Sequence, residues 1–80
     1  SGAIIVEARD LQEVQECVKN KVDRILLDNM TTAEMKECLR HIPSEIQTEA
    51  SGNMTVERVA EVAAIGVQFI SVGALTHSAP

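Results

Sequence analysis

Glu49-Ala50-Ser51-Gly52-Asn53-Met54 reads as the end of a strand that passes through a small, flexible turn into a helix. Such a turn gathers backbone N–H groups around one point, with the Glu49 carboxylate beside them, and forms a cradle for an anion. A second turn of this kind follows at Ser71-Val72-Gly73-Ala74-Leu75. Stepping back 21 residues from Glu49 reaches Asp28, another 21 reaches Glu7, and one step forward reaches Ile70. Each acid stands at or next to the end of a predicted strand. The regularity marks repeated βα units with parallel strands and right-handed crossovers.

The chain between these points supports that reading. Ala3-Ile4-Ile5-Val6 is a continuous apolar run ending on Glu7, which predicts a strand buried on both faces. Asp10 and Glu13 have capping-box spacing, and Leu11, Val14 and Val18 then recur at helical intervals. Arg24-Ile25-Leu26-Leu27 repeats the strand pattern and ends on Asp28. Thr31 and Glu34 open a second helix, whose stripe is Met35, Cys38, Leu39 and Ile42 and which Pro43 ends. Residues 45–50 form a more polar third strand. Thr55 caps a third helix with Val56, Val59, Ala60 and Ala63 as its stripe and Gly66 at its left-handed C-terminal position. A fourth strand over residues 67–72 and a short helical turn over 73–77 complete four consecutive βα units in one domain, residues 1–80. The fold class is α/β: part of a TIM-like barrel or, if the strands rearrange, an open flavodoxin-like sheet.

Composition narrows the function. In 80 residues, 45% hydrophobic with Phe69 the only aromatic, the core must be aliphatic, as suits buried parallel strands. A chain of this size buries only roughly 60% of the surface it exposes when unfolded. Twelve acids against seven scattered bases give a net charge of -5, which argues against a nucleic-acid partner. Cys17 and Cys38 lack metal-ligand or redox-motif spacing and read as reduced core thiols, so a cytoplasmic setting is expected. No apolar run approaches the roughly 20 residues of a membrane span, and no membrane partner is expected.

Active sites of such folds gather at the carboxyl ends of the strands, where Glu7, Asp28 and Glu49 would arrive together. Facing carboxylates require a positive group between them, or solvent. A Mg²⁺ ion held by one or two carboxylates and substrate phosphate oxygens would serve. The Ser51-Gly52-Asn53 and Gly73 turns follow consecutive strands, like the phosphate loops of many (βα)₈ barrels. Blander readings stand beside these. A strand-ending acid is often a turn or cap residue, and Gly and Asn are the ordinary residues of left-handed turns. His77 is more often a surface group than a catalyst, and His41 suits the carboxyl end of a helix.

Three motifs, Leu27-Asp28-Asn29-Met30, Glu49-Ala50-Ser51-Gly52-Asn53 and Ile70-Ser71-Val72-Gly73-Ala74-Leu75-Thr76-His77-Ser78, resemble in order the carboxyl-terminal barrel of quinolinate phosphoribosyltransferase. The resemblance spans nearly the whole chain. It implies a pentosyltransferase of NAD biosynthesis that converts quinolinate and phosphoribosyl pyrophosphate, with Mg²⁺, to nicotinate mononucleotide, pyrophosphate and carbon dioxide. It further implies that Glu7 and Asp28 face the ribose and metal side of phosphoribosyl pyrophosphate, and that Ser51, Gly52, Asn53, Gly73 and His77 bind it. Ile5 departs from the family, which commonly has a further acid there, and Asn53 stands where many members have a second Gly. The family's amino-terminal domain and the cations that bind quinolinate have no counterpart here, and no basic motif is expected at these strand ends. The chain is accordingly expected to be a fragment carrying the phosphoribosyl side, inactive alone, whose partners are phosphate or phosphoribosyl pyrophosphate and either the rest of the enzyme or further copies of itself. The alternative is a non-catalytic βα scaffold, engineered or truncated, that self-assembles through open sheet edges.

Overall fold

The computed structural model describes residues 2–71. They form β1 (Ile5–Ala8), α1 (Leu11–Lys19), β2 (Arg24–Asp28), α2 (Thr32–Leu39), β3 (Gln47–Ser51), α3 (Val56–Ala64) and β4 (Phe69–Ile70). All strands are parallel and lie in the order β1-β2-β3-β4. Neighbouring strands that are consecutive in the chain are the winding of a barrel wall, whereas a flavodoxin-like sheet reverses its strand order. The expected helical turn over 73–77 lies outside the described residues.

Each helix starts where its cap permits. Asp10 accepts from the Glu13 amide at 2.8 Å, and Glu13 returns to accept from the Arg9 amide at 2.7 Å, one residue earlier than in a regular capping box. Thr31 and Glu34 form the complete box, and Thr55 accepts from the Arg58 amide. Caps of this kind are each worth about 1 kcal/mol. Helix α2 ends at Leu39, before Pro43, and a turn at residues 40–42 leads to the proline. His41 lies just beyond the helix, with Nε2 3.2 Å from Glu37. Gly66 takes the left-handed conformation after α3 (φ +104°), as expected.

One core lies between the helices and one face of the sheet. Ala8, Ile25, Leu27 and Ala50, in phase along the strands, are completely buried, as are Val14, Met35 and Val62 from the three helices. The opposite face carries Ile5, Glu7, Arg24, Leu26, Asp28, Glu49 and Phe69, and none of these is fully buried. Strand β1 is therefore covered on one face only, contrary to the sequence expectation: Ile5 is 55% exposed because alternation turns it to the uncovered side. The α3 stripe is also corrected. Val62, with Val59 and Ile65, faces the core, while Val56 is 68% exposed and Ala60 and Ala63 face outward.

Candidate functional site

The strand register decides which acids meet. Glu7 pairs with Leu26, which pairs with Glu49, so these three form one row across the uncovered face. Asp28 lies two residues farther along β2, on the same face, and pairs with Ser51. The even 21-residue spacing thus conceals uneven steps of 19 residues between paired positions of β1 and β2 and 23 between those of β2 and β3. Glu7 and Glu49 stand two strand spacings apart, roughly 10 Å, where solvent ions screen most of their repulsion.

Two arginines supply the positive charge that the acids require. On the sheet face, Arg24 Nη1 donates to Glu49 at 2.8 Å while Nε and Nη2 donate to Gln47, and its guanidinium lies 3.9 Å over the Phe69 ring. The other Glu49 oxygen accepts from Ser71 at 2.8 Å. At the carboxyl end of β1, Arg9 sits 3.8 Å from Asp28 and 4.0 Å from Glu7. Arg9 is a single basic group at these strand ends and does not make up the paired guanidinium motif that a dianion requires. Sequence reasoning passed over both arginines, although Arg24 shares the period-two phase of Leu26 and Asp28, and that phase alone puts it on their face.

At the carboxyl ends of β2 and β3 the two connecting turns are tied together. The Asn29 amide donates to the Ser51 carbonyl at 3.3 Å, and Ser51 Oγ donates to Asp28 at 3.1 Å. Gly52 adopts φ +114°, and a Cβ there would lie 3.3 Å from the Asn29 nitrogen. Glycine is needed for both the backbone conformation and the close approach. Between the turns and Arg9 opens a cleft of about 570 Å³, lined by Arg9, Asp28, Asn29, Gly52 and Asn53. The structure thus brings Asp28, Ser51, Gly52 and Asn53 together, while Glu7 is not among the residues lining the cleft and approaches it only through its 4.0 Å contact with Arg9. Gly73 and His77 lie outside the described residues.

Among the described residues, no three His, Cys, Asp or Glu side chains are grouped so as to hold a metal ion, and no helix is long and apolar enough to cross a membrane. Cys17 and Cys38 are buried and free. Burial first, and then neighbouring carboxylates, push both thiols above their ordinary value: Glu13 and Glu16 act on Cys17, and Glu34, Asp10 and Glu37 on Cys38.

Residues 1–80 match the family described as the C-terminal domain of quinolinate phosphoribosyl transferase. A chloroplastic carboxylating nicotinate-nucleotide pyrophosphorylase of Arabidopsis thaliana is 40% identical over 88 residues, covering 91% of this chain and 25% of the relative. A mitochondrial decarboxylating quinolinate phosphoribosyltransferase 2a of Nicotiana tabacum is 40% identical over 83 residues, covering 92% and 24%. The crystal structure of nicotinate-nucleotide pyrophosphorylase from Ehrlichia chaffeensis superposes with a TM-score of 0.90 at 35% identity, covering 98% of this chain and 28% of that one. The chain spans about a quarter of the length of these relatives. With the barrel-wall topology, the tied strand-end turns and the sequence match in agreement, the chain belongs to the quinolinate phosphoribosyltransferase family, within its C-terminal domain.

Proposed function

We propose that this chain forms the phosphoribosyl side of a quinolinate phosphoribosyltransferase active site, in an enzyme making nicotinate mononucleotide for NAD biosynthesis. The observation that carries this reading is the cleft itself, in which the Arg9 guanidinium and the turns at Asn29 and Gly52-Asn53 surround one space beside Asp28. A guanidinium and turn amides are the groups that bind phosphate oxygens. In this reading Ser51, Gly52 and Asn53, joined by Gly73 and His77 from the third motif, hold phosphate groups of phosphoribosyl pyrophosphate. Glu7 and Asp28 face its ribose. These two carboxylates, which share Arg9, would be the oxygen donors available to a Mg²⁺ carried by the substrate, and the chemistry such an ion would supply is neutralisation of pyrophosphate charge.

Quinolinate, a dianion, calls for paired guanidinium groups. Arg24 is engaged with Glu49 and Gln47, and Arg9 borders the phosphate cleft, so the quinolinate half of the site belongs to other parts of the enzyme and the 80-residue chain is inactive alone. Buried, unpaired cysteines suit a reducing compartment such as the cytoplasm. Titrating the ¹⁵N-labelled chain with inorganic phosphate should move the Gly52 and Asn53 amides first. Unchanged shifts there at high phosphate would overturn the phosphate reading, and nicotinate mononucleotide formation by this chain at the rate of a complete enzyme would overturn its dependence on other parts.

A second reading, association of this chain with further copies, is favoured by the uncovered sheet face, where Ile5 is 55% and Phe69 41% exposed beside the β1 and β4 edges. Sedimentation showing only monomer at high concentration would exclude it.

A further inference from the structure

Arg58 occupies the first turn of α3, where the helix dipole favours acids and disfavours a cation. Its half-buried side chain runs back over the helix start. Nη1 donates to the Asn53 carbonyl at 3.2 Å, and Nη2 donates to the Met30 carbonyl. Asn53 belongs to the turn after β3, and Met30 to the turn after β2, directly following Asn29. One planar guanidinium therefore bridges the two lips of the cleft from the helix side, while the Asn29–Ser51 and Ser51–Asp28 hydrogen bonds join them from the sheet side. Arg58 is not among the residues lining the cleft.

We infer that Arg58 is a positioning residue, which sets the separation of the two lips and so the fit of the cleft to a phosphate group. The inference rests on the phosphate reading of the cleft. Its chemistry is specific to arginine: two donors in a fixed fork satisfy two carbonyls at once, whereas the lysine ammonium is a single compact head on a flexible stem. Charge alone would act differently, since a lysine at this position would preserve most of any long-range attraction for an anion.

The test compares the wild-type chain with R58K and R58M in phosphate titrations followed at the Gly52 and Asn53 amides, together with hydrogen exchange of the Asn29 amide. Both variants should lose phosphate affinity by about tenfold or more, the order seen when a group that orients binding residues is removed. Both should also exchange the Asn29 amide faster while the amides of β2 remain protected. Wild-type affinity in R58K would overturn the inference, because charge and not the bridge would then suffice; wild-type affinity in R58M would overturn it as well. If the wild-type chain binds no phosphate, the reading of the cleft fails, and the bridge is judged by exchange alone: faster exchange at Asn29 sustains it, and unchanged exchange ends it. Should R58M fail to fold, R58K decides by the same two measurements.

Discussion

The two faces of the sheet are built from the same four strands by opposite means. On the helix side Ala8, Ile25, Leu27 and Ala50 are sealed under aliphatic side chains, and the face is held by burial. On the other side Glu7, Arg24, Asp28, Gln47 and Glu49 are held by charge and hydrogen bonds around Leu26. Because side chains alternate, a slip of one residue in any strand would exchange the two environments. The difference shows how a small chain keeps its fold and its site apart: the covered face fixes the strand positions, and the uncovered one uses those positions to place chemistry.

The sharpest way to break this division is to truncate neighbours on opposite faces. L27A removes a completely buried side chain and should cost about 2–5 kcal/mol. For 80 residues, whose total stability at typical values is roughly 4–12 kcal/mol, that is a large share. L26A, one residue away on the uncovered face, should cost less than about 1.5 kcal/mol, since little apolar area leaves a covered site. Urea unfolding of the two variants measures the difference. Equal losses would mean that the uncovered face is packed against something in solution, and would favour association between copies.

Next in size is the turn that joins fold to site. G52A forces a side chain into a backbone conformation of φ +114° with Asn29 only 3.3 Å away, at a cost of order 1–3 kcal/mol. Its spectral changes should centre on Asn29 and Asn53, and phosphate binding should weaken with them. Undisturbed binding would show that the close approach of the turns is unnecessary to the cleft. On the sheet face, R24M leaves Glu49 without its cation and should cost about 1 kcal/mol, as for a partly exposed ion pair with supporting hydrogen bonds. The loss should shrink in the E49Q background and at high salt. A loss independent of Glu49 would assign the effect to the contact between Arg24 and Phe69.

The covered face was the more legible in sequence because its rules are local. Apolar runs closed by Glu7 and Asp28, and caps at Asp10, Thr31 and Thr55, located the first two strands and the three helices to within a few residues. The phase of α3 was not legible: residues 56–65 include apolar side chains on several faces, and contact with the sheet, not spacing, selects Val62 over Val56. On the uncovered face the acids were visible and their neighbours were not. Which cation reaches which acid depends on register, and evenly spaced acids do not reveal that Glu49 pairs with Leu26 while Ser51 pairs with Asp28. The tie between the turns, and Arg58 behind them, require two separated segments to be placed in space first.

The smallest expected effect also distinguishes the faces, through pH. Cys17 and Cys38 sit in the core, and both hold their protons above the ordinary thiol value of 9.0 because burial, then nearby carboxylates, opposes the thiolate. Below that value both folded and unfolded chains keep the protons, so the thiols add nothing to the pH dependence of stability. As pH rises through it the unfolded chain releases them first, and stability falls until the folded thiols ionise as well. A C17A/C38A variant should therefore lose this component of the alkaline decline, whatever its stability at neutral pH. Urea midpoints of both proteins at pH 8 and pH 10 provide the check, and a decline of the same size in the variant would place its origin outside the core. Salt should act in the complementary way, weakening the Arg24–Glu49 pair on the uncovered face while scarcely affecting the thiols.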